Sequence, residues 1–201
     1  MLQFRRKGHS EESKFAPVTG TGEIQILAPV TKNTIPRAES ISITRILAPT
    51  DLSPMSTAGV RYAINAARKF HAELVVYHVV TGTEVAAFAR RRKTKGLVAA
   101  PSRGIIEAYA SHLRDFIKRN FGADALSVKI KQRVDFGTPK KSIIEAAKSE
   151  KADLIVLTKS REGWFAKRFL RSVTEELIRQ APCPVLTIPA NWMALREKLA
   201  A

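Results

Sequence analysis

Short runs of Val, Ile and Leu alternate along most of this chain with stretches whose apolar residues recur every three or four positions. The runs at 44–50, 73–80, 127–134, 153–158 and 185–188 predict strands, each bordered by turn-forming residues. Helical spacing falls at 56–70, 102–120, 139–149 and 172–180. Unbroken apolar stretches such as LVVYHVV and LIVL suit strands buried on both faces. Strand followed by helix, repeated, implies right-handed crossovers and so an α/β fold: a parallel sheet with helices on both faces. Asp51-Leu52-Ser53-Pro54 reads as strand end, turn and helix cap, with Pro54 where a first helical turn tolerates it. Gly137-Thr138-Pro139 repeats that grammar before the helix at 139–149.

The pattern fails at the ends. Residues 1–42 are polar and turn-rich without a sustained period, and are expected to be a flexible extension. Within it Ile26-Leu27-Ala28-Pro29-Val30 nearly repeats Ile46-Leu47-Ala48-Pro49-Thr50, an echo read as chance similarity, with addition of a strand to a sheet edge as the alternative. Residues 43–190 are expected to form one domain, and 191–201 a short tail or a helix docking Trp192 and Leu195. A single cysteine, Cys183, excludes an intramolecular disulfide. With no basic start followed by a long apolar run, a cytoplasmic location is the expectation.

Three segments together carry a family resemblance. RILAPTDLSPMSTAGVRYAINAARKFHAELVVYHVV, VDFGTPKKSIIEAAKSEKADLIVLT and ADLIVLTKSREGWFAKRFLRSVTEELIRQAPCPVLTIP stand in the order and spacing of the universal stress protein domain. The resemblance spans about residues 43 to 189. It implies an open five-stranded parallel sheet of order 3-2-1-4-5, Rossmann-like and of the adenine-nucleotide alpha-hydrolase-like type. Ligands of such sheets sit beyond the carboxyl ends of the strands where the winding reverses, here between the first and fourth strands.

The nucleotide-binding branch of that family carries Gly-x2-Gly-x9-Gly-[Ser/Thr] in the loop after the fourth strand. Laid on this chain with Ser172 as the hydroxyl, its glycines fall on Thr158, Arg161 and Arg171. Pro49, Thr50, Asp51 and Val79 still match the nucleoside side, and Ser172, Val173 and Thr174 the phosphate side. Glycine lets backbone N–H groups approach phosphate oxygens closely, and a side chain blocks that approach. The expectation is therefore weak or absent ATP binding. A loop rebuilt around the two arginines, which bind phosphate through paired charged bonds, is the alternative. The resemblance also implies a homodimer joined through the last strand, Val185, Leu186, Thr187 and Ile188.

No catalytic or metal centre is expected. His9, His71 and His112 share no ligand spacing, and Ser53 and Ser172 have no His–Asp relay. His78 reads as a hydrogen-bonded core residue and Cys183 as structural. Asp51 has two readings, a nucleoside contact and a helix cap.

Charge adds a third element. Lys and Arg number 34 against 18 Asp and Glu, a formal net charge of +16. Arg90, Arg91, Arg92, Lys93 and Lys95 cluster in the long connection at 81–100, where nucleic acid or an anionic membrane surface is a candidate partner. Lys159, Arg161, Lys167, Arg168 and Arg171 surround the candidate site. Neither run is interleaved with aromatic residues for base stacking. The chain thus reads as a non-catalytic, dimeric stress-response module; the alternatives are a nucleotide sensor and an electrostatic binder of polyanions.

Overall fold

Strands and helices alternate as the apolar pattern predicts. The computed structural model describes residues 42–91, 102–159 and 170–200. Its elements run β1 (Arg45–Pro49), a 3-10 turn (Pro54–Ser56), α1 (Thr57–Phe70), β2 (Glu73–Val80), α2 (Gly82–Arg91) and α3 (Arg103–Leu126). There follow β3 (Ile130–Phe136), α4 (Pro139–Ser149), β4 (Leu154–Lys159), α5 (Leu170–Gln180), β5 (Val185–Pro189) and α6 (Trp192–Ala200). The expected flexible extension lies outside the described residues.

The five strands form one parallel sheet in the order β3-β2-β1-β4-β5, as anticipated. Alternation along each strand sends side chains to two cores. On one face Ile46, Ala48, Leu74 and Val76 meet Val60 and Ile64 of α1 and Leu113, Phe116 and Ile117 of α3. On the other, Leu47, Val75, Tyr77 and Ile155 meet Ile143 and Ala147 of α4 and Leu177 of α5. Ile46, Leu74 and Ile155 are fully enclosed, and each such side chain contributes roughly 1.5–3 kcal/mol by leaving water. α6 begins with Trp192 packed edge-on against Tyr62 of α1, ring centroids 5.2 Å apart. Leu195, expected to dock with it, is exposed.

Two local expectations are corrected. The connection at 81–100, read as a basic insertion, carries helix α2. Its start is a capping box: Thr81 Oγ1 accepts from Glu84 N at 3.3 Å, and Glu84 Oε2 accepts from Thr81 N at 2.7 Å. Val85 and Phe88 then pack it against Val80, Ile105 and Tyr109. The third strand begins at Ile130 rather than at residue 127. α3 runs to Leu126, past a kink at Gly122 with φ 41°, and residues 127–129 form the turn between it and the strand.

Strand pairing opens the crevice at the winding reversal. β1 pairs with β2 along its whole length, up to Pro49 opposite Tyr77. With β4 it pairs only through Ile46–Leu154 and Leu47–Ile155. Beyond those pairs the carboxyl ends of β1 and β4 are free of each other, and the start of α1 fills the gap.

Candidate functional site

The loop leaving β1 is held by its own hydroxyls. Ser56 Oγ donates to Ser53 O at 2.8 Å, so the Thr50 hydroxyl must be the donor in its 2.8 Å bond to Ser56 Oγ. Thr50 Oγ1 in turn accepts from Leu52 N at 3.1 Å. Asp51 Oδ1 accepts from both the backbone N–H and the hydroxyl of Ser53, at 3.0 and 2.6 Å. Ser53, not Asp51, is the cap, since its Oγ accepts from Ser56 N. The loop bends through Leu52 at φ 61°, left-handed backbone that a branched side chain seldom adopts. Asp51 Oδ2 has no hydrogen-bond partner among the described residues and remains open to a ligand donor.

Across the crevice, Thr158 at the end of β4 is committed. Its hydroxyl donates to Ser56 O at 3.1 Å and accepts from Gly59 N at 2.9 Å. Gly59 lies in the first turn of α1, whose N–H groups have no partner within the helix. A helix N-terminus in this crevice would ordinarily offer such groups to an anion; Thr158 takes one of them. The fit is close, for a Cβ on Gly59 would stand 2.4 Å from Thr158 Oγ1 and 3.0 Å from Thr158 N.

Of the other expected site residues, Pro49 and Thr50 are buried at the end of β1. Val79 lies two positions past Tyr77, which pairs with Pro49, and its side chain is buried in the core with Leu47 and Ile143. α5 starts at Leu170, two residues earlier than expected, so Thr174 stands a full turn inside the helix and is half-buried. Arg161 and the side chains of Arg171, Ser172 and Val173 lie outside the described residues. Arg90 and Arg91 end α2, both exposed, where positive charge complements the helix dipole. Arg92, Lys93 and Lys95 lie outside the described residues.

The structure adds a neighbour to this site that the sequence reading left in the core. His78 is buried, and its Nδ1 lies 2.9 Å from the Thr50 carbonyl oxygen. Nε2 lies 3.4 Å from Glu84 Oε1. Burial opposes the charge on Glu84, but the His78 ring and the amide and hydroxyl of Thr81 outweigh it and hold the carboxyl below its usual range. The readable signal was Thr81-Gly82-Thr83-Glu84, a capping-box spacing. Cys183 is half-buried, and burial pushes its thiol up, as befits an inert side chain. Among the described residues no group of three or more His, Cys, Asp or Glu could hold a metal ion. No described helix is long and apolar enough to cross a membrane.

Comparison with known proteins agrees with this architecture. The model of the universal stress protein family matches residues 42–189. The chain is 32% identical over 149 residues to a universal stress protein of Methanocaldococcus jannaschii, covering 72% of this chain and 81% of that one. The universal stress protein UspA from Lactobacillus plantarum aligns with a TM-score of 0.54 at 26% identity, covering 73% of this chain and 97% of that one. A universal stress protein solved in complex with cAMP aligns with a TM-score of 0.51 at 22% identity, covering 74% and 98%, a likeness of fold.

Proposed function

We propose, because this chain belongs to the universal stress protein family, that it is a non-catalytic, dimeric stress-response module. Its nucleoside side is retained and its phosphate side has been given over to structure. The observation that carries this reading is Thr158. Where the nucleotide-binding branch has its first loop glycine, this chain has a hydroxyl bonded to both Ser56 O and Gly59 N. A side chain there removes the bare backbone that a phosphate needs, and it occupies a donor of the nearest helix terminus. The free Asp51 Oδ2, beside buried Thr50, leaves a group able to accept from a nucleoside.

The test is a calorimetric and thermal-shift titration with adenosine, AMP, cAMP, ADP and ATP, each with and without Mg²⁺. Cyclic nucleotide belongs in the series because a protein of the same fold was solved with cAMP. Binding weaker than about −8 kcal/mol, the micromolar mark, is expected, with ATP no tighter than AMP. Micromolar ATP binding that rises with each phosphate and disappears in S172A/T174A would overturn the reading in favour of a sensor built on Arg161 and Arg171.

The dimer is assigned to β5. The two edges of the sheet differ in kind. β3 carries Lys131, Arg133 and Asp135, whereas β5 presents Val185, Leu186 and Thr187, all half-buried in the single chain. Charged side chains discourage strand addition at an edge, and apolar ones invite it.

A further inference from the structure

His78 is only 2% exposed, yet its Nε2 has no hydrogen-bond partner. A buried polar atom left unpaired destabilises the fold, and the groups around Nε2 decide whether it stays so. The ring is fixed on three sides. Nδ1 faces the Thr50 carbonyl at 2.9 Å, and a carbonyl only accepts, so Nδ1 carries a proton. The ring stacks on Tyr109 of α3, with centroids 5.3 Å apart and planes 16° from parallel. On the remaining side Nε2 points at Glu84 Oε1, 3.4 Å away.

With Nδ1 protonated, Nε2 has two states. A neutral ring turns a lone pair toward a carboxylate, and two acceptors oppose each other in a buried space. A second proton makes Nε2 a donor, and 3.4 Å shortens readily to the 2.7–2.9 Å or so of a charge-assisted bond. Thr50 O, His78 and Glu84 then form one continuous bridge from the β1 loop to α2. Glu84 is also half of the capping box that starts α2. The proton therefore acts where the helix begins.

We infer that His78 is a proton-operated latch: a proton on Nε2 docks the start of α2, and with it the basic residues Arg90 and Arg91, against the carboxyl end of β2. The groups facing the ring are few. The β1 loop presents the Thr50 carbonyl, α2 presents Glu84, and α3 presents Tyr109, whose far side meets exposed His112 edge-on at 5.5 Å. Arg91 reaches Tyr109 electrostatically. β3 contributes only apolar Val134 to this cluster. Glu84, held below the usual carboxylate range, keeps its charge as the acceptor that faces the ring. The latch operates whether or not a nucleotide binds.

The test uses the full chain without ligand. Nitrogen chemical shifts of the His78 ring follow its protonation from pH 5 to 9, while hydrogen exchange, corrected for intrinsic rates, follows the amides of α2. As rising pH removes the proton from Nε2, protection of Val85 and its neighbours is expected to fall in step with the change in the ring's nitrogen shifts. Glu84→Gln keeps an acceptor for the Thr81 amide and offers its N–H to a neutral Nε2, so its α2 protection should no longer fall as pH rises. His78→Asn retains a donor to Thr50 and should likewise lose the step. His112→Gln should retain it. A His78 ring that remains singly protonated at Nδ1 down to pH 5 would overturn the latch. So would wild-type α2 protection that is flat with pH, or a Glu84→Gln variant that keeps the wild-type step.

Discussion

Thr158 and Gly59 are separated by 99 residues and meet as a single hydrogen bond. Thr158→Val removes the acceptor for a helix-terminal N–H and the donor to Ser56 O, and should cost about 1–3 kcal/mol in urea unfolding. Gly59→Ala should cost a similar 1–3 kcal/mol through overpacking. In the Gly59→Ala/Thr158→Ala pair the loss should fall short of the sum, because the smaller side chain makes room for the new methyl. Additivity would show that the two positions do not touch in solution. The sequence marked Thr158 as a substituted glycine but gave no hint of its role, since a hydroxyl's partner across the fold has no local signature. Asp51 was legible as a turn residue, yet the division of labour with Ser53 depended on the two bonds to Asp51 Oδ1.

Among the elements, β2 and α4 were read to their ends. The first is an apolar run closed by Thr81, and the second opens with Pro139 and closes once its apolar spacing stops. α2 is hard to read from sequence because its last turn runs into the basic stretch, while its start is marked only by the capping box of Thr81 and Glu84. β3 starts later than its apolar pattern suggests because α3 runs on past Gly122 to Leu126 and residues 127–129 are needed for the turn. Contacts between element ends also set the pH response. Asp153, entering β4, accepts through Oδ2 from Thr44 N, Thr44 Oγ1 and Arg45 N at 2.8, 2.7 and 2.9 Å, and so pins the start of β1. Burial works against its charge, but these bonds outweigh it and keep the carboxyl below its usual range. A folded-state pKa that is lowered gives stability present above the unfolded value, about 3.9 for Asp, and lost as pH falls through the folded one. Stability should hold down to about pH 4 and drop below it. Asp153→Asn should cost about 1–3 kcal/mol at neutral pH and flatten that acid limb; an unchanged limb would assign it to Glu73 or Glu150, whose carboxyls are also held low.

For the whole molecule, fold class was legible because five apolar runs with intervening helices leave few ways to wind a sheet, while the strand order followed from the family resemblance. The site was legible only in part, because the residues that decide it come together from β1, α1 and β4. The proposed assembly rests on the contrast between the sheet's two edges. Leu186→Glu should convert a two-chain mass to one chain in sedimentation without unfolding the monomer; a mass unaffected by the change would move the interface elsewhere. At the opposite edge, Arg133 bonds Asp135 and Ser149 at 2.8 and 2.7 Å, and Lys131 reaches Glu150 at 2.7 Å. These ion pairs have a consequence beyond holding β3 in place. In a dimer joined at β5 as proposed, the combined sheet would end in β3 on both sides, each carrying the paired charges of Lys131 and Arg133. With charged rather than apolar side chains along both outer strands, such a dimer would offer a third chain little to add to, so the same sheet that allows pairing would also limit it.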